Sequence, residues 1–226
     1  MRPPTNDMAA EPREPRPTLE EFWMAVAVEN ASRSNCCKLH VGAVILREDL
    51  FRASGFNGTI RKYPNCYDGG CPRCCDENFE SGMGLDLCIC VHAEENALMS
   101  AARDGVSVAG ATCYVTHEPC LSCTKLLIQA GIVEVVYLKE YDYPNLPEHR
   151  RNRAQMRNYV KDHGIMQFRQ LSINDLAQSA DLWLARLDDM KAKAWEYAKQ
   201  KGVIRPKKLL THCPQCGSAL QKAEGP

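Results

Sequence analysis

Apolar residues recur along this chain every three to four residues in some segments and in short extended runs in others. The first pattern predicts helices and the second predicts strands, and the two kinds of segment alternate along the chain. Thr18 and Glu21 have the spacing of a capping box, and apolar residues follow them at helical intervals. A first amphipathic helix is therefore expected from Thr18 to about Ser34. Two extended segments, from Val41 to Leu46 and, beyond a charged turn, up to Phe56, predict an antiparallel strand pair.

Asn57-Gly58 is expected to close this pair as a turn. Beyond a long loop rich in Cys, Gly and Asp, helices and strands alternate. The predicted order is helix, strand, helix, strand, helix, strand, over residues 92–103, 111–116, 121–130, 133–138, 147–163 and 166–171. Because a helix is the crossover that parallel neighbours need, the last strands are expected to be parallel within an α/β layer fold.

Three parts of the chain differ in pattern. Residues 1–17 contain five prolines and no apolar periodicity, which predicts a disordered tail. Residues 18–172 carry the alternating elements, and residues 173–226 form a C-terminal extension. In that extension a long helix is predicted from Asp175 to Gln200, with an apolar stripe that either the main domain or a second subunit must cover. The stripe consists of Leu176, Ala180, Trp183, Leu187, Met190, Ala194 and Tyr197.

Composition narrows the function. The 226 residues include 13 cysteines, but neither a secretory signal nor an apolar run near the ~20 residues that cross a bilayer, so a cytoplasmic protein without a membrane partner is expected. Reducing compartments keep thiols free, which favours metal binding or catalysis over disulfides. Residues 18–172 carry 16 basic against 19 acidic side chains, net −3. Domains that clamp nucleic acid usually have a basic excess, so a small substrate is expected instead.

Two short motifs carry the chemistry. HAE at 92–94, followed by PCLSC at 119–123, matches the signature of zinc deaminases that act on nucleobases. Cys120 and Cys123 begin one predicted helix, so both thiolates face one way, and His92 opens another helix. Three protein ligands leave the fourth tetrahedral position for water, as a catalytic zinc requires. The alternatives are a closed structural zinc site or a redox CxxC, which would leave the HAE segment without a role.

Glu94 is expected to move the protons. It follows the predicted ligand His92 by two residues, so it can take a proton from the zinc-bound water, whose pKa the metal lowers towards ~7, without being a ligand itself. The carboxyl group can then pass the proton to a ring nitrogen and to the departing amine. Applied to cytosine, this reaction yields uracil and ammonia.

With these motifs the sequence resembles the deoxycytidylate (dCMP) deaminase family, within the larger cytidine deaminase fold, from about Arg16 to Leu171. The matching segments are SRSNC (32–36), VGAVI (41–45), GFNGT (55–59), NCYDGGCPRC (65–74), CICVHAEENAL (88–98), PCLSC (119–123) and GIVEVVYLKEY (131–141). The resemblance implies a three-layer α/β/α fold with a mixed five-stranded sheet, and conversion of dCMP to dUMP. It also implies a homo-oligomer, often a hexamer, regulated by dCTP and dTTP.

The resemblance also assigns substrate contacts. Asn57 would touch the sugar, although it could equally serve in a turn alone, and the backbone of Ala93 would touch the base carbonyl. Arg33 would contact the 5′-phosphate, with Lys38, Arg61 and Lys62 as alternative phosphate contacts. Because the zinc chemistry is shared, dCTP, another nucleobase or nucleoside such as guanine or free cytidine, and polynucleotide cytosine are alternative substrates. Outside enzymes, the alternative is a non-catalytic nucleic-acid-binding accessory protein that keeps the deaminase scaffold.

The other cysteines predict further metal sites. Cys71 and Cys74 form a CxxC in the long loop and are expected to bind a structural zinc with Cys66 and Cys88, with Cys36 as a competing ligand. By default, four others are expected to be ordinary buried thiols: Cys37, Cys75, Cys90 and Cys113. In the extension, Cys213 and Cys216 look like one knuckle of a zinc ribbon and supply two ligands, or three with His212.

Overall fold

A mixed five-stranded sheet forms the centre of the protein. The computed structural model describes residues 17–80, 83–141, 147–171 and 177–206. In chain order the elements are α1 (Leu19–Ala31), β1 (Gly42–Arg47), β2 (Leu50–Phe56), β3 (Gly58–Thr59), β4 (Cys90–Val91), α2 (Ala93–Arg103), β5 (Thr112–His117), α3 (Leu121–Gln129), β6 (Glu134–Lys139), α4 (Pro147–Asp162), β7 (Gln167–Gln170) and α5 (Ala177–Gln200). The central sheet has the order β2-β1-β5-β6-β7, while β3 and β4 pair separately.

The antiparallel half of the sheet contains the predicted strand pair. The turn between β1 and β2 is made by Glu48 and Asp49, whose φ angles of 53° and 59° give the left-handed backbone that a tight hairpin requires. The expectation that Asn57-Gly58 forms a turn is wrong. Gly58 instead belongs to β3 and pairs with Val91 of β4, so the chain leaves the central sheet at this point. This second pairing brings the cysteine-rich segment against the sheet's edge.

The other half of the sheet is parallel, as the sequence predicts. β5 pairs with β6 and β6 with β7 in parallel register, for example Cys113 with Val135 and Val135 with Phe168. α3 and α4 are the crossovers between these strands. The carboxyl ends of β5 and β6 therefore open onto the same edge, where α3 begins.

Side chains of the sheet alternate between two cores. Ala43 and Ile45 of β1 point into a core shared with α2, α3 and the end of α4, whereas Val44 and Leu46 point into a core shared with α1 and α5. Helices thus cover both faces of the sheet. The three-layer α/β/α arrangement expected from the resemblance is confirmed.

Two strand glycines let helices approach the sheet unusually closely. A Cβ atom on Gly42 would lie 2.0 Å from the carbonyl oxygen of Ala27 in α1. A Cβ atom on Gly55 would lie 2.2 Å from the carbonyl oxygen of Ala93 at the start of α2. Both distances are far below any contact that a carbon atom makes with oxygen, so only glycine fits these positions. Gly55 therefore controls where α2 begins relative to the sheet.

Trp183 and Leu187, two members of the apolar stripe of α5, are covered by the main domain. Leu187 is buried in the core that contains α1 and Leu171, and Trp183 packs at its margin. Further along the helix, Ala198 and Trp195 pack against the cysteine-rich loop. The sequence allows either the main domain or a second subunit as the cover, and for these residues the main domain is the one observed. The predicted tail up to residue 16 and the Cys213-Cys216 knuckle lie outside the described residues.

None of the helices in the described ranges combines the length and the apolarity that crossing a bilayer requires.

Candidate active site

His92, Cys120 and Cys123 meet at the N-termini of two helices. His92 is the N-cap residue of α2 and Cys120 that of α3, so both side chains lie just ahead of a first turn. His92 Nδ1 lies 3.5 Å from Cys120 Sγ and 3.3 Å from Cys123 Sγ. The structure therefore brings the three predicted ligands together around one point.

These spacings fit zinc. Zn–S bonds of about 2.3 Å and Zn–N bonds of about 2.0 Å in a tetrahedron hold nitrogen and sulfur ligands about 3.6 Å apart. The thiolate form of Cys120 is favoured, because hydrogen bonds from Cys123 and His92 lower the pKa of its thiol to about 3 despite its burial, whereas the hydrogen bond with Cys120 and burial raise the pKa of the Cys123 thiol. Within the described ranges the ligand group around this point has three members, as in catalytic zinc sites that keep one position open.

Glu94 lies in the first turn of α2, next to the metal ligands. Its side chain is only 4% exposed, and this burial raises the pKa of its carboxyl group to about 7. A carboxyl group with a pKa near neutrality can both accept and return a proton at physiological pH. The neighbouring Glu95 has a different task, since its Oε2 accepts a hydrogen bond of 3.0 Å from the backbone N–H of His92 and thereby caps the helix.

A cavity opens directly over this centre. Glu94 lines it together with the ligands His92 and Cys120. Further wall residues that matter for a substrate are Lys38, Asn57, Ala93, His117, Tyr141 and Arg153. Asn57 and Ala93, the residues expected to contact the sugar and the base, thus lie on the same cavity as the proton carrier. Their contacts to a substrate stay predictions.

Asn57 is held by the backbone of the loop that precedes β1. Its side-chain nitrogen donates to the carbonyl oxygen of Leu39 at 2.7 Å, and its side-chain oxygen accepts from the N–H of Val41 at 2.8 Å. These bonds bind the loop containing Lys38 to the end of β2. Asn57 therefore shapes the cavity wall, a role that neither the turn interpretation nor the sugar contact anticipated.

Among the described residues, three cationic side chains line the cavity, Lys38, Arg73 and Arg153, and the arginine predicted from the sequence is not one of them. Arg33 is exposed and lies outside the cavity lining, so its contact with a phosphate stays a prediction. Lys38 and Arg153 do line the cavity, and Arg153 was not foreseen. Its signal is the arginine-rich sequence of α4, the crossover helix that leaves the sheet edge where parallel strands end.

α4 is fastened to the active-site loop by two arginines. Arg153 Nη2 donates to the carbonyl oxygen of Glu118 at 2.6 Å, and Arg157 Nη1 donates to the Glu118 carboxylate at 2.6 Å. Glu118 is buried and stands two residues before the ligand Cys120. The bond from Arg157 to the buried carboxylate is of the stronger, charge-assisted kind, so α4 is firmly attached to the PCLSC loop.

Eight further cysteines gather beside the cavity. They are Cys36, Cys37, Cys66, Cys71, Cys74, Cys75, Cys88 and Cys90. All five cysteines predicted for a structural zinc are present, but the quartet of Cys66, Cys71, Cys74 and Cys88 does not form one ligand group. Cys90, expected to be an ordinary thiol, lies within both groups of four cysteines, because pairing of β4 with β3 carries it among the others. Cys113 lies in the apolar core.

Fold and site together define an α/β protein whose His-Cys-Cys ligand group is arranged like that of the nucleobase deaminases. The sequence profile described as "Cytidine and deoxycytidylate deaminase zinc-binding region" matches residues 17–139. The chain therefore belongs to the cytidine and deoxycytidylate deaminase family. Membership of that family implies a bound zinc ion.

Individual proteins are also similar to this chain. The chain is 48% identical to deoxycytidylate deaminase of Saccharomyces cerevisiae over 126 residues, which is 56% of this chain. It is 37% identical to deoxycytidylate deaminase of Mycobacterium phage D29, over 55% of this chain and 98% of the phage protein. The chain matches 39% of the length of the yeast protein. A crystal structure of dCMP deaminase from cyanophage S-TIM5 in complex with dCMP and dUMP superposes with a TM-score of 0.51 and 25% identity, over 70% of this chain and 100% of that chain.

Proposed function

We propose that this protein hydrolyses dCMP to dUMP and ammonia. The observation that carries the proposal is one cavity in which the buried Glu94 carboxyl group lies beside the three zinc ligands, with Lys38 and Arg153 on the same walls. The cavity thus combines a proton carrier, a metal site and positive charge for a phosphate. The names of the yeast and phage relatives, and the dCMP and dUMP bound to the cyanophage protein, support the same substrate.

Zinc, held by the three ligands, supplies the Lewis acidity that makes water nucleophilic near neutral pH. As the oxygen of water bonds to C4 of cytosine, the Glu94 carboxylate takes one proton and delivers it to N3. Glu94 then carries the second proton of that water to the exocyclic amine, the C4–N bond breaks and ammonia leaves. The carboxylate is regenerated, and its burial keeps bulk water away from the proton's path.

Glu94→Gln tests the proton carrier, because glutamine keeps the shape of the side chain and cannot carry the proton. We expect kcat with dCMP to fall by at least about 100-fold, with zinc content unchanged. Glu48→Gln is the matched control, since Glu48 lies exposed in the β1–β2 turn. Ammonia release and metal analysis are the measurements. Normal turnover by Glu94→Gln would show that the reaction does not run through this carboxyl group.

The choice of a monophosphate depends on the cavity's cations. Arg153→Ala is expected to lower kcat/KM for dCMP about 10-fold more than for deoxycytidine, because only the nucleotide carries a charge for the guanidinium. Arg33→Ala, on the exposed surface, provides the comparison and tests the contact predicted from the resemblance. The same assay with dCTP, cytidine, guanine and single-stranded DNA ranks the alternatives. Preference for any of these over dCMP contradicts the proposed substrate.

Assembly, regulation and location belong to the same proposal. A homo-oligomer is supported by the groove between α2 and α3, where Met99 and Leu126 are exposed, because apolar surface of this kind suits a subunit contact. Control by dCTP and dTTP and assembly into a hexamer have family membership as their support. A cytoplasmic location is a prediction from the sequence. Light scattering with and without dCTP, together with activity at several dTTP concentrations, tests the first two.

A further inference from the structure

The eight-cysteine gathering contains two overlapping sets of four sulfur atoms. One set is Cys36, Cys66, Cys74 and Cys90, and the other is Cys71, Cys74, Cys88 and Cys90. Within each set, all sulfur atoms lie within 4.8 Å of one another. Cys74 and Cys90 belong to both sets. A single tetrahedral zinc uses one set and leaves two thiols of the other beside it without a metal.

The sulfur spacings are those of metal-bound thiolates. Tetrahedral zinc with bonds of about 2.3 Å holds its sulfur ligands about 3.8 Å apart. The observed distances are 3.9 Å for Cys36–Cys74, 3.8 Å for Cys71–Cys88 and 3.6 Å for Cys74–Cys88. The first pair belongs to one set and the other two pairs belong to the other set. Both sets therefore have the dimensions of a metal site, and a disulfide, at about 2.05 Å, is far shorter.

The last two cysteines of the gathering, Cys37 and Cys75, lie outside both sets of four. Cys75 Sγ is 3.0 Å from the carbonyl oxygen of Cys66, and Cys37 Sγ is 3.4 Å from the carbonyl oxygen of Cys74. With Cys66 these two form a group of three, one short of a closed structural site. Six cysteines of the gathering therefore belong to a set of four, and these two do not.

We propose that the six cysteines form a binuclear zinc–thiolate cluster, in which Cys74 and Cys90 each bridge both metal ions. Cys36 and Cys66 complete the tetrahedron of one ion, and Cys71 and Cys88 complete that of the other. Each ion then has four sulfur ligands, which makes both sites closed and structural. The cluster goes beyond the proposed deamination and does not depend on which substrate the protein takes.

The position of the cluster explains what it stabilises. It joins the loop after α1, the long loop that contains Cys66–Cys74, and the segment that enters β4. Cys36, Cys74, Cys88 and Cys90 also line the catalytic cavity, and Cys90 stands two residues before the ligand His92. Since a loop of this length has little regular structure of its own, metal bonds supply the order that packing does not. The cluster therefore builds one wall of the substrate cavity.

Cadmium-113 NMR tests the shared thiolates directly on the full chain. After exchange of zinc for cadmium, we expect two resonances typical of four sulfur ligands, each split by coupling to the other through the bridging sulfurs. A third, uncoupled resonance should come from the His92 site. A single four-sulfur resonance, or two such resonances without mutual coupling, overturns the proposal. Iron in place of zinc, revealed by metal analysis and visible absorption, overturns it as well.

Metal content provides the second measurement. To remove any contribution from the C-terminal pair, the chain carries Cys213→Ser and Cys216→Ser, and about three zinc ions per chain are then expected. About two ions, one catalytic and one structural, contradict the shared cluster. In this background Cys74→Ser should lose both cluster ions, whereas Cys37→Ser should keep them. If Cys74→Ser does not fold, the cadmium spectrum of the unmodified chain still decides between one ion and two.

Discussion

Gly55→Ala tests whether the position of α2 sets the catalytic rate. The added Cβ atom would lie 2.2 Å from the carbonyl oxygen of Ala93 and 2.5 Å from the backbone nitrogen of Ala97. Carbon–oxygen contacts are rarely shorter than about 3.3 Å, so α2 must move away from the sheet by roughly 1 Å. α2 begins with Ala93 and Glu94 and is capped by His92, so the proton carrier and one metal ligand move together.

The expected loss follows from that displacement. Misplacing reacting groups by about 1 Å can cost about 100-fold in rate, which is about 2.7 kcal/mol of transition-state stabilisation. Overpacking should also cost about 1–3 kcal/mol of folding free energy, or a drop of roughly 2–10 °C in Tm. We therefore expect kcat/KM for dCMP to fall about 100-fold in protein that is still folded at the assay temperature.

Gly42→Ala is the matched control because it produces the same kind of clash with a different helix. Its Cβ atom would lie 2.0 Å from the carbonyl oxygen of Ala27 in α1, which carries none of the metal ligands or the proton carrier. Its Tm should fall by a similar amount, while kcat/KM changes only a few-fold. The reasoning is refuted if both variants lose activity equally at equal folded fraction. It is also refuted if Gly55→Ala loses stability but keeps its normal rate.

The remaining predictions concern stability. Burial lowers the pKa of His117 to about 3. In the unfolded chain this histidine takes up a proton below pH ~6.5, whereas in the native state it stays neutral until the pH falls to about 3. Native stability should therefore fall by about 1.4 kcal/mol per pH unit well below pH ~6.5. Urea titrations at pH 7.5 and 5.5 should show a smaller pH effect in His117→Gln. For the C-terminal helix, Leu187→Ala should cost about 2–4 kcal/mol in urea unfolding, because Leu187 is 5% exposed and packs against the α1 face.

Each stability prediction has an outcome that contradicts it. An unchanged pH effect in His117→Gln means that other groups, among them the cysteine thiolates, account for the acid sensitivity. For the helix, Leu182→Ala provides the comparison, since Leu182 is 68% exposed on the same element and should cost less than about 0.5 kcal/mol. Equal effects at Leu182 and Leu187 would mean that α5 does not stabilise the domain.

The sequence alone indicated which residues form the candidate site, because each half of the site is local and the two halves together match a known motif. Cys120 and Cys123 are three residues apart at a helix start, and Glu94 follows His92 by two residues at another, so short-range spacing decides which side chains face together. The order of helices and strands, and the parallel pairing of β5, β6 and β7, also followed from periodicity and crossover length. Each half of the site and each strand crossover is decided within one element or between neighbours in the chain, whereas the meeting of His92 with Cys120 and Cys123 was expected from the motif.

Only the tertiary structure decided the features that combine distant segments. Cys90 joins Cys36 and Cys66 because β4 pairs with β3, and spacing along the chain carries no information about that pairing. Arg153 reaches the cavity because α4 packs back towards Glu118, a partner 35 residues away in sequence. The cover of α5 likewise depended on which apolar surfaces meet. Apolar attraction has no direction, so a pattern shows that a face must be buried, while only packing shows against what.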